Sequence, residues 1–579
     1  MQIESDGIRK PETTLTAFYE GAPFRCRPGV TVAAALTDAG ILGLRSAPNG
    51  ERGVFCGMGV CGECTVVIDK RPGQLACMVA VADGMHIQRQ PLAARPDLSE
   101  SSDEVAEQIL APQLLVIGGG PAGLATAAAA GEAGLRVVLV DERANLGGQY
   151  YKQPAATFTI DPARLDHQYV SGRRLIARVR AAGVHVLSGV RVWGAAGPRE
   201  FYATGARRRW VLRPERLVLA TGAYERAVPF PGWTLPGVMT TGAAQSLARS
   251  YQVAPGRRIL IAGNGPLNVQ LAGELTRAGA SVVGLVELAD LTSPTRLPAL
   301  LRMMATCPSL VRDGTGYLAT LHRAKVPILT RRAVVRAEGV NRVERAVVAQ
   351  IDELGRPIPG SERSFSVDAV CVGLGFMPAN EIARLIGVRY NVDPPTGGYV
   401  LERVGAGRTN LKNVWVVGDG SEVRGAKVAE SAGELAAADV AATLDRTPAK
   451  GGALAAAHRR LRRHERFQGG LWRLYSGPAL FAQFAEPETV VCRCESIPLS
   501  TIDEHAGGGI ASAGAVKRVT RAGMGCCQGR FCGFVVANRV ASYTGTAVGP
   551  FDGFAPQAPF RPTSVSQLAA PQPEMEARS

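Results

Sequence analysis

Cys56, Cys61, Cys64 and Cys77 follow the order Cys-x4-Cys-x2-Cys with a fourth thiol a short way on. Three thiols presented by one tight loop, with a fourth from the following strand, constrain the backbone more than any other pattern in the chain. The x4-then-x2 run is the plant-type ferredoxin spacing of a [2Fe–2S] cluster. Zinc is the rival, but structural zinc sites usually pair Cys-x2–4-Cys knuckles. Gly53, Gly57, Gly59 and Gly62 are interspersed. Glycine lets the backbone turn inward, so that N–H groups can point at sulfur and stabilise the reduced state.

From Gln113 the pattern becomes βαβ. An apolar strand at 114–117 runs into Gly118-Gly119-Gly120-Pro121-Ala122-Gly123, an Ala-rich helix at 122–133 and a strand at 137–140. G-x-G-x-x-G between a strand and a helix seats dinucleotide phosphates on the helix N-terminus, and a side chain at Gly118 or Gly120 would block them. Asp141 closes the second strand at the spacing that binds an adenosine ribose, with Glu142 the fallback. Gly147-Gly148-Gln149, the turn Ala220-Thr221-Gly222 and the run from Thr409 to Asp419 resemble motifs of glutathione-reductase-type flavoproteins. By that resemblance Gln149, Thr221 and Gly222 lie beside the cofactor, and Asp419 bonds its ribityl or ribose part. FAD, NAD or another adenine nucleotide all remain open for this site, as does a nucleotide fold without ligand.

A second unit has a strand at 259–262, Gly263-Asn264-Gly265-Pro266-Leu267-Asn268, a helix at 267–278 and a strand at 282–286 that ends on Glu287. Asn268 stands where the third glycine allows close helix–strand packing. Glu287 would favour a ribose hydroxyl over a 2′-phosphate. NAD binding and a degenerate domain kept for packing are both open. Neither unit contains a Cys-x-x-Cys or Cys-x4-Cys, which excludes disulfide-reductase chemistry. Cys26, Cys307 and Cys371 are isolated and read as small buried hydrophobes.

Cys492-Arg493-Cys494 and the run from Gly523 to Cys532 form a second cysteine window. Cys492, Cys494, Cys527 and Cys532 are the expected ligands of a second centre, and spacing leaves Cys526 as a fifth candidate. Zinc is a stronger rival here, because no glycine-lined ferredoxin loop surrounds the pair.

At 579 residues the chain needs several cores. Boundaries are read at 1–95 (ferredoxin-like), 96–112 (linker), 113–236 (first dinucleotide domain, first part), 237–375 (second dinucleotide domain) and 376–447 (first domain, second part). A helical connector at 448–488, a cysteine domain at 489–548 and a Pro-rich tail at 549–579 follow. Net charge is +15, yet only 8 of the 65 basic residues are Lys and the one dense run, 458–464, is short. That reads as a solvated Arg-rich surface; the run could dock an acidic partner or lie near a membrane surface, but nothing in it reads a nucleic acid. Residues 1–14 are polar without an apolar core, and no run of 18 apolar residues occurs. The expected location is the cytoplasm or the inner face of its membrane.

The order of parts resembles the A (alpha) subunit of opine oxidase, with hydrogen cyanide synthase, the proline and hydroxyproline dehydrogenase complexes and the alpha subunit of heterotetrameric sarcosine oxidase as relatives. The match is carried by RGVFCGMGVCGEC around Cys56–Cys64, GLGFMP at 373–378, CRCE and GMGCCQGRFC. The chain departs from the family pattern at Cys526 and Asn268. The resemblance implies an α/β fold of two Rossmann-type domains of the glutathione-reductase-like flavoprotein class. It adds an N-terminal ferredoxin-like α+β domain and a small helical C-terminal [2Fe–2S] domain like bacterioferritin-associated ferredoxin. It further implies a division of labour. A D-amino-acid-oxidase-like FAD subunit oxidises the C–N bond of an amino acid, imino acid or opine, and this chain passes electrons through flavin and [2Fe–2S] to a quinone or other respiratory acceptor. FMN at a subunit interface and NAD belong to the same implied set. No convincing acid–base pair or nucleophile is visible. The alternatives are a self-contained NADH-dependent flavin and iron–sulfur reductase and a non-catalytic nucleotide-binding scaffold.

Overall fold

The computed structural model describes residues 3–93, 106–205, 208–291, 293–393, 398–446, 451–564 and 568. Each fully buried run predicted as a strand is one, because a parallel strand covered on both faces must be apolar throughout. In the first dinucleotide domain Leu114–Ile117 lies between Val137–Asp141 and Arg216–Leu219, with His185–Ser188 and Val414–Val416 at the edges. All four pairings are parallel. The second sheet orders Val238–Thr240, Ala369–Gly373, Arg258–Gly263, Ser281–Glu287 and Ile328–Thr330, again all parallel. It falls between two neighbouring strands of the first sheet, so the second domain is inserted in the first. A short antiparallel ribbon, Ala223–Glu225 with Phe376–Pro378, joins the two where the chain crosses and returns.

The helices Pro121–Glu132 and Ala426–Ala442 cover one face of the first sheet. They approach closely because Gly433 has no side chain: a Cβ there would stand 2.3 Å from the carbonyl oxygen of Ala122. The expected linker at 96–112 needs correction. Residues 94–105 lie outside the described residues, but Ala106–Leu110 is a strand that pairs in parallel with Arg208–Leu212. It completes a four-stranded sheet on the first domain. Composition misled here, because an edge strand with one solvated face can be polar.

The N-terminal domain is a five-stranded mixed sheet with the helix Val32–Asp38 packed against it. Thr31 caps that helix, its hydroxyl accepting from the N–H of Ala34. At the other end of the chain, Val490–Cys492 pairs with Ile497–Pro498, and the helices Leu499–Gly507, Ala513–Thr520 and Gly533–Thr544 close a small core. The tail up to residue 564 is ordered against the body. Phe560 is 2% exposed within the core of the first dinucleotide domain, and its N–H donates to the carbonyl of Trp193.

Candidate cofactor sites: two cysteine quartets and a shared cavity

The first cysteine loop has the inward-turned backbone its glycines imply. Gly57, Gly59 and Gly62 have φ of 60°, 75° and 69°, in the left-handed region that glycine enters freely. Cys56, Cys61, Cys64 and Cys77 are all buried, with the thiols of Cys56 and Cys61 paired and those of Cys64 and Cys77 paired. The N–H of Glu63 donates to the sulfur of Cys61 at 3.4 Å. Burial alone would raise the Cys56 thiol. The Cys61 thiol and the backbone N–H groups of Met58, Val60 and Cys61 instead bring it down to about 6. Burial pushes the Cys61 thiol up and the Cys64 thiol pushes up that of Cys77, so it is the loop's inward N–H groups and its four gathered sulfurs that fit a cysteine-ligated [2Fe–2S] cluster.

In the second window Cys492 contacts Cys532 and Cys494 contacts Cys527. Cys492, Cys527 and Cys532 are buried, Cys494 is half-buried and Cys526 is exposed. The N–H of Gly523 donates to the sulfur of Cys492 at 3.4 Å. Cys492, Cys494, Cys527 and Cys532 thus lie near one another, with Cys526 beside Cys494 at 3.9 Å.

Sequence reasoning missed how close the windows lie. The sulfurs of Cys494 and Cys526 stand 3.7 and 3.6 Å from the carbonyl oxygen of Cys61. A Cβ on Gly62 would lie 2.1 Å from the sulfur of Cys526. Between the quartets Glu63 is fully buried and meets Arg45 at 2.6 Å, Arg493 at 3.0 Å and Arg52 at 3.6 Å. Burial would raise the Glu63 carboxyl, but Arg493, Arg45 and Arg52 outweigh it and hold it below the ordinary carboxylate range.

A cavity of about 560 Å³ runs from the first dinucleotide turn to Cys56 and Met58. Gly118, Gly120, Asp141, Gln149, Thr221 and Asp419 line it. Gly118 (φ +109°) abuts the next strand, where a Cβ would lie 2.3 Å from the carbonyl oxygen of Ala220. A Cβ on Gly123 would lie 1.8 Å from the carbonyl oxygen of Gly118, so this third glycine serves turn packing. Asp141 accepts from the N–H groups of Gly119 and Arg143, and burial raises its carboxyl to about 6. Glu142 also faces the cavity but pairs with Arg561 of the tail at 3.5 Å. Thr221 bonds the carbonyl of Ala379, and the N–H of Ala379 donates to the carbonyl of Gly222. Asp419 accepts from the N–H groups of Arg424 and Gly425, which arms the helix start that follows, and burial raises its carboxyl.

Two further cavity residues were not legible in the sequence. Lys152, 3% exposed, donates to Gln245 at 2.9 Å and to the carbonyl of Gln149. Burial, reinforced by Arg143 and Arg249, lowers its ammonium to about 7. Glu225, 5% exposed, accepts from the N–H of Gly242 through one oxygen; the other has no hydrogen-bond partner among the described residues. Burial raises its carboxyl to about 7. An acid and a base held near neutrality beside a cofactor cavity are suited to proton handling.

The second turn departs from the first at its third glycine position. Asn268 is buried; its amide donates to the carbonyl of Gly373 and its oxygen accepts from Thr241. It replaces close packing with a hydrogen-bonded bridge. A Cβ on Gly263 would lie 1.9 Å from the carbonyl oxygen of Gly373. Both oxygens of Glu287, fully buried, face the N–H of Gly265 at 3.3 and 3.4 Å, and burial pushes its carboxyl up. Segment 475–477 runs beside the turn, with the Asn264 amide bonded to the carbonyl of Tyr475 at 2.9 Å, while Gly265, Pro266 and Leu267 line the same cavity as the first turn. Arg296 anchors the same segment through the carbonyls of Arg473 and Ser476.

The three isolated cysteines, Cys26, Cys307 and Cys371, are buried as expected. The basic run lies on the helix Gly451–Leu474, where Arg460 pairs with Glu434. Among the described residues no helix is long and apolar enough to cross a membrane.

Comparison with known proteins agrees with this geometry. Residues 112–436 match the family described as pyridine nucleotide-disulphide oxidoreductase, and residues 12–91 match the 2Fe-2S iron-sulfur cluster binding domain. Hydrogen cyanide synthase subunit HcnB of Pseudomonas aeruginosa is 32% identical over 74% of this chain and 93% of its own length. The A-subunit of opine oxidase from Agrobacterium tumefaciens is 31% identical over 79% and 91%. The solved L-proline dehydrogenase from P. horikoshii shares the fold with a TM-score of 0.71, at 21% identity over 97% of this chain and 98% of that one. The chain therefore belongs to the pyridine nucleotide-disulphide oxidoreductase family and carries a 2Fe-2S iron-sulfur cluster binding domain ahead of it.

Proposed function

We propose that this chain is the electron-relay subunit of a heteromeric flavin- and iron–sulfur-dependent dehydrogenase that oxidises the C–N bond of an amino acid, imino acid or opine. The observation that carries the reading is continuity. Cys56 lines the cavity that holds the first dinucleotide turn, and Cys61 of the same loop touches the second cysteine window. Related subunits named for hydrogen cyanide synthase and opine oxidase support the substrate class.

The turn at Gly118–Gly123 and Asp141 would hold the adenosine diphosphate part of FAD, and Asp419 its ribityl side. Cys56, Cys61, Cys64 and Cys77 would hold one [2Fe–2S] cluster, and Cys492, Cys494, Cys527 and Cys532 a second. Flavin and clusters supply the exchange between two-electron and one-electron chemistry. The protein's own contribution is positional. Arg143 donates to the carbonyl of Gly57 at 2.9 Å and ties the cofactor domain to the cluster loop. Lys152 and Glu225 hold or release a proton at Nζ and at the unpartnered carboxylate oxygen as charge changes beside them. The substrate-oxidising site belongs to a D-amino-acid-oxidase-like FAD subunit, and a quinone or other respiratory acceptor takes the electrons.

The test is to purify the chain alone and co-expressed with such a partner, and to measure flavin, iron, sulfide and dye-linked oxidation of amino acids and opines. The expected result is two iron–sulfur centres and a flavin on the chain, with activity only in the complex. Substrate oxidation by the isolated chain, or rapid bleaching of its flavin by NADH, would overturn the reading.

A further inference from the structure

The middle residues of the two cysteine motifs, Glu63 in Cys61–Cys64 and Arg493 in Cys492–Cys494, meet each other although they lie 430 positions apart. Arg493 is held on every side. Its Nε donates to Glu63 at 3.0 Å and its Nη1 to the carbonyl of Trp233 at 2.6 Å. Its guanidinium lies 4.0 Å from the ring centre of Phe55 and 4.6 Å from that of Trp233. Trp233 in turn donates to the carbonyl of Val490 at 2.6 Å, at the root of the second window. Arg45 reaches both loops, through Glu63 at 2.6 Å and the carbonyl of Arg493 at 3.5 Å.

The charges in this contact do not balance. Three guanidiniums, of Arg45, Arg52 and Arg493, surround the single carboxylate of Glu63. The Nε atom of Arg45 is buried and has no hydrogen-bond partner among the described residues, and that of Arg52 faces only Glu63, at 3.6 Å. Buried cations in excess are costly unless an anion faces them. The groups that flank the cluster on both sides are cysteine quartets. A thiolate-ligated iron–sulfur centre is an anion and becomes more negative on reduction, so nearby cations favour the reduced form.

We propose that Glu63 and Arg493 are positioning residues that clamp the second cysteine quartet onto the first and, with Arg45 and Arg52, set the reduction potentials of both centres. The inference rests on the reading that each quartet binds [2Fe–2S]. A residue that touched only one loop would tune one centre. Glu63 and Arg493 sit between both, so a change at either one shifts the two together.

The test is an EPR-monitored redox titration of the full chain in its complex, wild type against Glu63→Gln, Arg493→Gln and the double variant. Removing the carboxylate should make both centres easier to reduce, and removing the guanidinium should make both harder. Each should change the reduced-to-oxidised ratio at fixed potential by about tenfold, which is 59 mV for one electron. The double variant should return toward wild type. Arg493→Lys keeps the charge and loses the fork. It should leave the potentials near wild type while weakening the magnetic interaction between the reduced centres, and it covers the case in which the Gln variants fail to load. Wild type with two centres whose potentials and interaction ignore these substitutions overturns the clamp alone. Wild type with a single iron–sulfur centre overturns the clamp together with the reading beneath it.

Discussion

Glu225 and Lys152 make the cavity sensitive to pH, and the sign follows from the direction of each shift. Glu225 and Asp141 have folded-state values of about 7 and about 6, above their unfolded values. Between pH 4 and 7 the folded chain therefore binds more protons than the unfolded one, and stability falls as pH rises. Lys152 is lowered to about 7, so from about pH 7 to 10 the unfolded chain binds more protons and stability rises with pH. These groups place a stability minimum near neutrality in the cofactor-stripped chain. Thermal melts across pH 5–9 should show Glu225→Gln flattening the acid limb, by about 3 kcal/mol at most, and Lys152→Gln flattening the alkaline one. If both limbs are unchanged, the two groups are not buried as described. A second residue-scale prediction concerns Gly118. A Cβ there meets backbone, not a flexible side chain, so Gly118→Ala should cost about 1–3 kcal/mol and abolish flavin retention, measured by absorbance after gel filtration.

Among elements, the helix Gly451–Leu474 and the segment after it run beside the second dinucleotide turn. The strand–turn–helix unit is intact, and the bridging role of Asn268 is compatible with its fold. Beside the turn runs the segment ending at Tyr475, held by Asn264 and Arg296, and Gly265 and Leu267 line the same cavity as the first turn. Millimolar NADH added anaerobically to the flavin-loaded chain should leave the flavin bands unchanged over minutes. Immediate bleaching would show that the second turn admits NADH and would overturn the relay reading. The same region shows why the Asn268 substitution was hard to read. A missing third glycine is a defect in a dinucleotide site but a gain in a scaffold, and only the partner groups on Gly373 and Thr241 distinguish the two.

For the whole molecule, the central residue is Trp233. It is 2% exposed, lies edge-on to Phe55 of the first cysteine loop at 5.6 Å, and bonds the second window through Val490. One hydrophobic core contains Phe55, Cys56, Trp233, Leu480, Cys527 and Phe531, so both cysteine windows and the second dinucleotide domain share it. Trp233→Ala should cost about 3–5 kcal/mol and lower iron content at both windows together, by denaturation and metal analysis. Loss confined to one window would separate the cores that the structure joins.

Local rules were enough to read the parts from the chain. Thiol spacing with glycine, two G-x-G turns between apolar strands, and Asp419 after its strand each depend on neighbours within a few residues. The insertion of one Rossmann unit in the other was also legible, because sheet order follows strand order under simple connection rules. The strand Ala106–Leu110 was not, since its partner is a hundred residues away and its exposed face is polar. Nor were Lys152, Glu225 and the Glu63–Arg493 contact, whose meaning comes from burial. A charge is ordinary in water and consequential only once tertiary packing removes the water and brings a distant partner. The sequence alone thus determined that this chain holds two sets of cysteines and a nucleotide fold. Only the tertiary structure decided that the sets touch, that one opens on the cofactor cavity, and that the second turn lines the same cavity.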